Sequence, residues 1–265
     1  MPLAILPAFG SLSAFIGLLE FIMKLNNRVA IVSAAGRGIG KAIAMSLGSE
    51  GATVIVNSYG ENTTKSTVDA INDAGGKAIG MPGDITDPYR IMEVVNATIK
   101  DYGQIDILVN NAGGSGGFAP VSELSNEAWQ EAASWILHSA FWATRAALQD
   151  MEPRRWGRII NISSVEGKQA NKENVAHYIT FKHALNGLTK AVALENGVKG
   201  ITSNAISPGA IETDLMKEAG PAVAESAGIT YQQFKENYAQ DAAIKRLNTV
   251  EEVAGLSLFL CSDMG

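Results

Sequence analysis

Tyr178 and Lys182 stand four residues apart, a spacing that sets both side chains on one face of a helix. A phenol can hand a proton to an alkoxide, the species left when hydride adds to a ketone. It does so at neutral pH only if its ordinary pKa of ~10 is drawn down by ~3 units, roughly 4 kcal/mol. A neighbouring ammonium favours the phenolate and pulls in that direction. Ser164 follows the apolar run Arg158–Ile162, where its hydroxyl could hydrogen-bond a substrate oxygen and stabilise developing charge. Spacing alone is a weak argument. Tyr231 and Lys235 repeat it without a serine-ended strand upstream, and that second pair reads as an exposed helix face.

A second chemical signal lies near the start. Ser33 to Gly40 reads SAAGRGIG, directly after an apolar run and at the head of a helical stretch. Gly38 and Gly40 let the backbone approach a pyrophosphate, and a helix N-terminus aims unpaired N–H groups at it.

The elements that must carry these residues alternate. Apolar runs at Val29–Val32, Thr53–Asn57, Lys77–Met81, Ile105–Asn110, Arg158–Ile162 and Ile201–Ile206 read as strands. Helical stretches at Gly38–Glu50, Thr63–Ala74, Pro88–Tyr102, Asn126–Asp150 and Tyr178–Glu195 separate them, and Glu251–Cys261 reads as a last helix. Strands with few polar residues, each followed by a helix, predict an α/β fold: a doubly wound parallel sheet (a Rossmann fold) in three α/β/α layers. Such folds bind ligands at the carboxyl ends of their strands. No repeat or low-complexity linker divides the run, so residues 23–265 are expected to form one domain.

Composition narrows the classes further. A net charge of −6 without a long basic run argues against nucleic acid as a partner. Cys261 is the only cysteine, and the three histidines (His138, His177, His183) lack metal-ligand spacing, so no disulfide and no metal is expected. A reducing cytoplasm fits that usage. Residues 1–22 form an apolar leader: Leu3 to Met23 carries one acid, Glu20, and no Lys or Arg precedes Lys24. That is about the length needed to cross a bilayer, roughly 20 residues, although Pro7, Gly10, Gly17 and Glu20 weaken a membrane helix. Three readings stay open: a leader ahead of a start at Met23, a membrane or partner anchor, or a packed extra helix.

Further motifs follow in order: Asp84 in Gly83-Asp-Ile-Thr-Asp87, Asn110-Asn-Ala-Gly113, Asn161-Ile-Ser-Ser164, Tyr178-x-x-x-Lys182, and Asn204-Ala-Ile-Ser-Pro-Gly209 with Thr213. Together with the glycine loop they resemble the short-chain dehydrogenase/reductase family from about Met23 to the last residue. The resemblance implies an NAD(P)(H)-dependent oxidoreductase that interconverts a secondary alcohol and a ketone by hydride transfer. Tyr178 would be the general acid/base, Ser164 the substrate-oxygen ligand, and Lys182 a partner that also holds the nicotinamide ribose. It assigns to the cofactor Ser33, Gly36, Arg37, Gly38, Ile39, Gly40, Ser58, Asp84, Ile85, Asn110, Ala112, Gly113, Pro208, Gly209, Ile211 and Thr213, besides Tyr178 and Lys182. Asp84 and Ile85 would line the adenine pocket, and Pro208, Gly209, Ile211 and Thr213 would hold the nicotinamide. An NAD-preferring site places an acid after the second strand; here Asn57-Ser58-Tyr59 stands there, and Arg37 could pair with a 2′-phosphate. NADP(H) is therefore expected over NAD(H). A homo-oligomer, dimer or tetramer, is implied through Asn126–Asp150 and Tyr178–Glu195.

Three departures temper the resemblance. Ala34 takes the first glycine position of the loop. Ile136 falls where the family carries an asparagine that orders water beside the lysine, and isoleucine makes no side-chain hydrogen bond. The chain stops at Gly265 without the family's usual last strand, which would leave a sheet edge unpaired: either the chain is truncated or the leader covers the gap. These features motivate two alternatives: a weakened member that binds cofactor and turns over poorly, and a membrane or scaffold protein that uses the leader. The substrate is expected to be a small carbonyl or alcohol, with acyl thioester, sugar and steroid all open. Phe118, Trp135, Trp142, Glu166, His177, Met216 and Phe234 are pocket candidates, each read more simply as core or surface.

Overall fold

The structure is a computed structural model that describes residues 24–265 apart from Ser115 and Asp241, and the backbone alone at Leu215. The apolar leader and its three readings lie outside the described residues.

Six strands, β1 (Val29–Val32), β2 (Thr53–Val56), β3 (Lys77–Gly80), β4 (Ile107–Asn110), β5 (Gly157–Ile162) and β6 (Ile201–Ile206), pair in the order β3-β2-β1-β4-β5-β6. Every pairing is parallel. The helices are α1 (Gly38–Ser49), α2 (Glu61–Asp73), α3 (Pro88–Tyr102), α4 (Asn126–Ala133), α5 (Ser139–Arg154), α6 (Ala176–Asn196), α7 (Asp214–Ser226), α8 (Tyr231–Tyr238) and α9 (Val250–Cys261). Strand alternation builds the three layers. Ala30, Val32, Val54 and Val56 face one way, onto Ile43, Ala44 and Leu47 of α1 and Val253 and Leu258 of α9. Ile31 and Ile55 face the other way, onto Ile91 and Val94 of α3 and Met151 of α5. Such strands are buried on both sides, hence their nearly unbroken apolar sequence.

Most expected elements shift at their ends by one or two residues, and two of the differences have an identifiable cause. The fourth strand begins at Ile107, because the Ile105 N–H donates to Asp150 Oδ2 at 2.9 Å instead of a strand partner. The expected helix Asn126–Asp150 is broken by a π-turn at Ser134–His138 and runs on to Arg154. Within it the Ser139 N–H reaches back to the Ser134 carbonyl, and Ser139 Oγ donates to the Trp135 carbonyl at 2.7 Å. Wide turns of this kind break the 3.6-residue register and often mark functional sites.

At the amino end of the sheet, Asp106 is fully buried but paired. It accepts from the Val29 N–H at 2.9 Å and from Arg154 Nη1 at 2.9 Å. At the carboxyl end the strand order reverses between β1 and β4, and a cleft opens there. Among the described residues no helix is long and apolar enough to cross a membrane, and no group of His, Cys, Asp and Glu could hold a metal.

Candidate active site

The cleft at the carboxyl end of the sheet has a volume of about 1220 Å³. Arg37, Gly38, Ile39, Ser58, Asp84, Ile85, Ala112, Gly113, Ser164, Tyr178, Lys182, Pro208, Gly209, Ile211 and Thr213 line it. Residues far apart in sequence are thus gathered around one cavity.

Four other expected residues stand behind that lining. Ser33 Oγ accepts from the Asn111 and Ala112 N–H groups at 3.0 and 3.3 Å, stapling the loop after β1 to the loop after β4. A Cβ at Gly36 would meet Ser58 Oγ at 2.5 Å, and one at Gly40 would collide with Asn111 Nδ2. Both glycines therefore permit close packing of the loop. Asn110 Nδ2 donates to Asn161 Oδ1 at 2.8 Å, and Asn161 Nδ2 donates to Thr189 Oγ1 at 2.9 Å. Asn110 also donates to Thr144 Oγ1 at 3.2 Å. This buried polar chain ties β4 and β5 to α5 and α6, and so fixes the helix bearing Tyr178 and Lys182 against the strand ending before Ser164.

Ala34 adopts φ +49°, a left-handed conformation that favours glycine. The departure from the family pattern is therefore conformational rather than a matter of volume. Arg37 is the N-cap residue of α1 in extended backbone, and its guanidinium reaches Glu218 at 3.6 Å. Asp84 turns on itself, accepting from the Thr86 N–H and hydroxyl at 2.8 and 2.7 Å. The position after β2 carries Asn57, whose amide donates to the Met81 carbonyl at 2.9 Å, and then Ser58 on the cleft wall.

On the opposite side, the Ser164 hydroxyl stands near the Tyr178 phenol and lowers its pKa, and Ser164 Oγ accepts the Glu166 N–H at 3.2 Å. Lys182 is buried, donates to the Ile162 carbonyl at 2.6 Å, and lies 5.6 Å from the centre of the Tyr178 ring. Burial pulls Lys182 down to about 7. Burial pushes the Tyr178 phenol above its ordinary value, against the pull of the Ser164 hydrogen bond and the charge of Lys172. The expected draw of the phenol toward neutrality is therefore not what burial produces: the Ser164 hydroxyl and the charge of Lys172 lower Tyr178, and burial outweighs them.

Ile136 sits in the π-turn, 1% exposed, in an apolar cluster with Ala132, Ala133, Ala140, Phe181 and Leu185. It lies beside Gly113, where an added Cβ would stand 3.7 Å from Ile136 Cγ1 and 3.1 Å from Lys182 Nζ. The second pair is not an exposed helix face. Tyr231 and Lys235 are half-buried, Tyr231 Oη donates to the Met216 carbonyl at 3.2 Å, and Lys235 pairs with Glu212 at 3.3 Å. That pair holds α8 onto α7 and the turn before it. Of the pocket candidates, Trp135, Met216 and Phe234 line the cleft, whereas Phe118 is 78% exposed and Trp142, Glu166 and His177 lie elsewhere. Gly114, Glu131, Ser134, Val223 and Tyr238 line it without any signal in the sequence beyond their place in a loop or lid. Cys261 is buried and its thiol is pushed up to about 12, which makes it inert.

A cleft spanning the topological switch point, with glycine backbone on one wall and a hydroxyl, a phenol and an amine on the other, defines a dinucleotide-dependent oxidoreductase. Comparison with known proteins gives the family. The family model described as short chain dehydrogenase matches residues 28–224, and the chain belongs to that family. It is 35% identical over 239 residues to a D-beta-hydroxybutyrate dehydrogenase of Rhizobium meliloti, covering 89% of this chain and 92% of that protein. It is 35% identical over 245 residues to a 3-oxoacyl-acyl-carrier-protein reductase of Aquifex aeolicus, covering 91% and 93%. Among solved structures, an actinorhodin polyketide ketoreductase with NADPH superposes with a TM-score of 0.83 at 34% identity, covering 89% of this chain and 90% of that one. The chain is an NAD(P)(H)-dependent oxidoreductase that interconverts a secondary alcohol and a ketone of a small molecule.

The described residues fit such a cofactor. The Gly38 N–H at the head of α1 already donates to an anionic partner, the Asp214 carboxylate, at 2.9 Å. The cleft is also larger than the ~300–1,000 Å³ typical of small-ligand sites.

Proposed function

We propose that this enzyme reduces 3-oxoacyl compounds to 3-hydroxyacyl compounds, with NADP(H) preferred over NAD(H). The observation that carries the reading is the convergence of Ser164, Tyr178 and Lys182 on one wall of the cleft. The cofactor supplies the hydride that the carbonyl carbon accepts. Ser164 holds the carbonyl oxygen, and Tyr178 delivers its phenolic proton there as negative charge develops. Lys182 would hold the nicotinamide ribose of the bound cofactor from its buried place beside Tyr178.

The 3-oxoacyl class draws on the names of the relatives, a hydroxybutyrate dehydrogenase and a 3-oxoacyl reductase, both matched over nine-tenths of their length. NADP(H) preference draws on Ser58 in the position of the usual acid, on Arg37 at the cleft wall, and on the NADPH held by the ketoreductase. The remaining cofactor contacts are those expected along the lining, from Gly38 and Ile39 through Asp84 and Ile85 to Thr213. The protein is further read as a homo-oligomer, joined through the stretch from α4 to α5 and through α6.

The test is the rate of NADPH and NADH oxidation with an acetoacetyl thioester, a sugar ketone and a keto-steroid. Acetoacetyl thioester turnover with NADPH at least about tenfold faster than with NADH supports the reading. Turnover of the steroid or sugar alone overturns the substrate class, and equal rates overturn the cofactor preference.

A further inference from the structure

The N-terminal part of α7 reaches the phosphate loop at two points. Asp214 Oδ2 accepts the Gly38 N–H at 2.9 Å, and Glu218 Oε2 lies 3.6 Å from Arg37 Nη1. Asp214 and Glu218 are four residues apart and share one face of the helix. Helix α1 has no acid in its own first turn, and Arg37 makes no side-chain cap bond at its head. The positive end of α1 and the guanidinium beside it are therefore both answered by carboxylates from a helix 176 residues away in sequence.

Those two donors are also the ones that an anionic dinucleotide needs: the loop N–H for its pyrophosphate, and Arg37 for a 2′-phosphate. One N–H directed at one point serves one acceptor well, and a carboxylate beside a phosphate adds repulsion between like charges. We propose that Asp214 and Glu218 act as an internal anion that competes with the cofactor for the phosphate loop, and so set its affinity and its selectivity between NADPH and NADH. For Glu218 the proposal rests on the NADP(H) reading above, whereas the Asp214 contact bears on either dinucleotide.

The competition has a structural consequence. Met216, Ala219, Gly220 and Val223 of α7 line the same cleft. Displacing Asp214 from Gly38 releases the first turn of the helix that walls the substrate side. Cofactor affinity is then the difference between phosphate–loop and carboxylate–loop contacts, not the former alone.

The test is a fluorescence titration of NADPH and NADH against the wild-type protein, Asp214→Ala, Asp214→Asn and Glu218→Gln at one ionic strength. Asp214→Ala tightens both cofactors about three- to tenfold, the range for a half-exposed charge-assisted hydrogen bond. Asp214→Asn, which keeps an acceptor but loses the charge, tightens them less. Glu218→Gln tightens NADPH about two- to threefold and leaves NADH unchanged. The Glu218 side chain is 66% exposed, so this variant reads out binding without burdening the fold. Unchanged or weaker binding of both cofactors in the Asp214 variants, with Glu218→Gln also neutral, overturns the proposal. A wild-type protein that prefers NADH, with Asp214→Ala still tightening NADH, overturns the cofactor reading and upholds the competition.

Discussion

Lys182 Nζ donates to the main-chain carbonyl of Ile162 at 2.6 Å, inside a wall where Lys182 itself is only 3% exposed. An amine so placed incurs a desolvation penalty whenever it is charged, and its folded pKa falls to about 7.

The first prediction concerns stability against pH. In the unfolded chain Lys182 titrates near ~10.4, so between pH 7 and that value the unfolded state binds the additional proton. Stability therefore rises with pH across this window, by up to about 1.4 kcal/mol per pH unit, and is lost as pH falls toward 7. Lys182→Met removes the dependence. The variant is expected to exceed the wild type in denaturant midpoint at pH 7 and to lose that advantage by pH 10. A wild-type-minus-variant difference that stays flat from pH 7 to 10 contradicts the buried, depressed lysine.

The second concerns Ile136. Ile136 and Lys182 both stand against Gly113, and the apolar side chain offers that neighbourhood no hydrogen bond. Ile136→Asn buries an amide in the cluster around Phe181 and Leu185, at a cost of about 1–3 kcal/mol. In return it supplies the hydrogen-bonding group that the family resemblance assigns to this position. The expected result is a lower melting temperature together with a kcat raised about two- to tenfold. A folded variant with unchanged or lower kcat would show that Ile136 does not limit turnover.

The third concerns Ala34. At φ +49° an alanine carries left-handed strain of about 1–2 kcal/mol, partly offset by the greater freedom of glycine in the unfolded chain. Ala34→Gly is expected to stabilise the protein by about 0.5–1 kcal/mol, measured by urea denaturation with an unchanged m value. Destabilisation would contradict the strain.

The fourth concerns Arg37. Arg37→Ala should weaken NADPH about tenfold and leave NADH within about twofold, because only the former carries a phosphate for the guanidinium to meet. Equal weakening of both cofactors would place Arg37 on the pyrophosphate instead.

Much of this was legible in the sequence. The strand runs from Val29 to Ile206 and the glycine loop pointed to the sheet and its cleft, since both-face burial leaves an unbroken apolar signature. The set Ser164, Tyr178 and Lys182 also came together as spaced. Three things did not show. The π-turn at Ser134–His138 arises from backbone carbonyl partners, which the helical periodicity of the segment hides. The strain at Ala34 resides in a backbone angle, which a residue type indicates only indirectly. The half-burial of Tyr231 and Lys235 depends on α7 and Glu212, partners their own helix does not reveal. Proton affinities were the least legible: the spacing of Tyr178 and Lys182 implies attraction between charge and phenol, whereas burial of both dominates.

The most direct measurement compares wild type and Tyr178→Phe for NADPH binding and for acetoacetyl thioester reduction in the same preparation. The account predicts that the variant still binds NADPH, with Kd within about threefold, and loses kcat by a factor of about 10²–10⁴, the loss expected for a general acid. Turnover retained at the wild-type level by a variant that lacks the phenolic proton would contradict the assignment of Tyr178 and, with it, the proposed chemistry of the cleft.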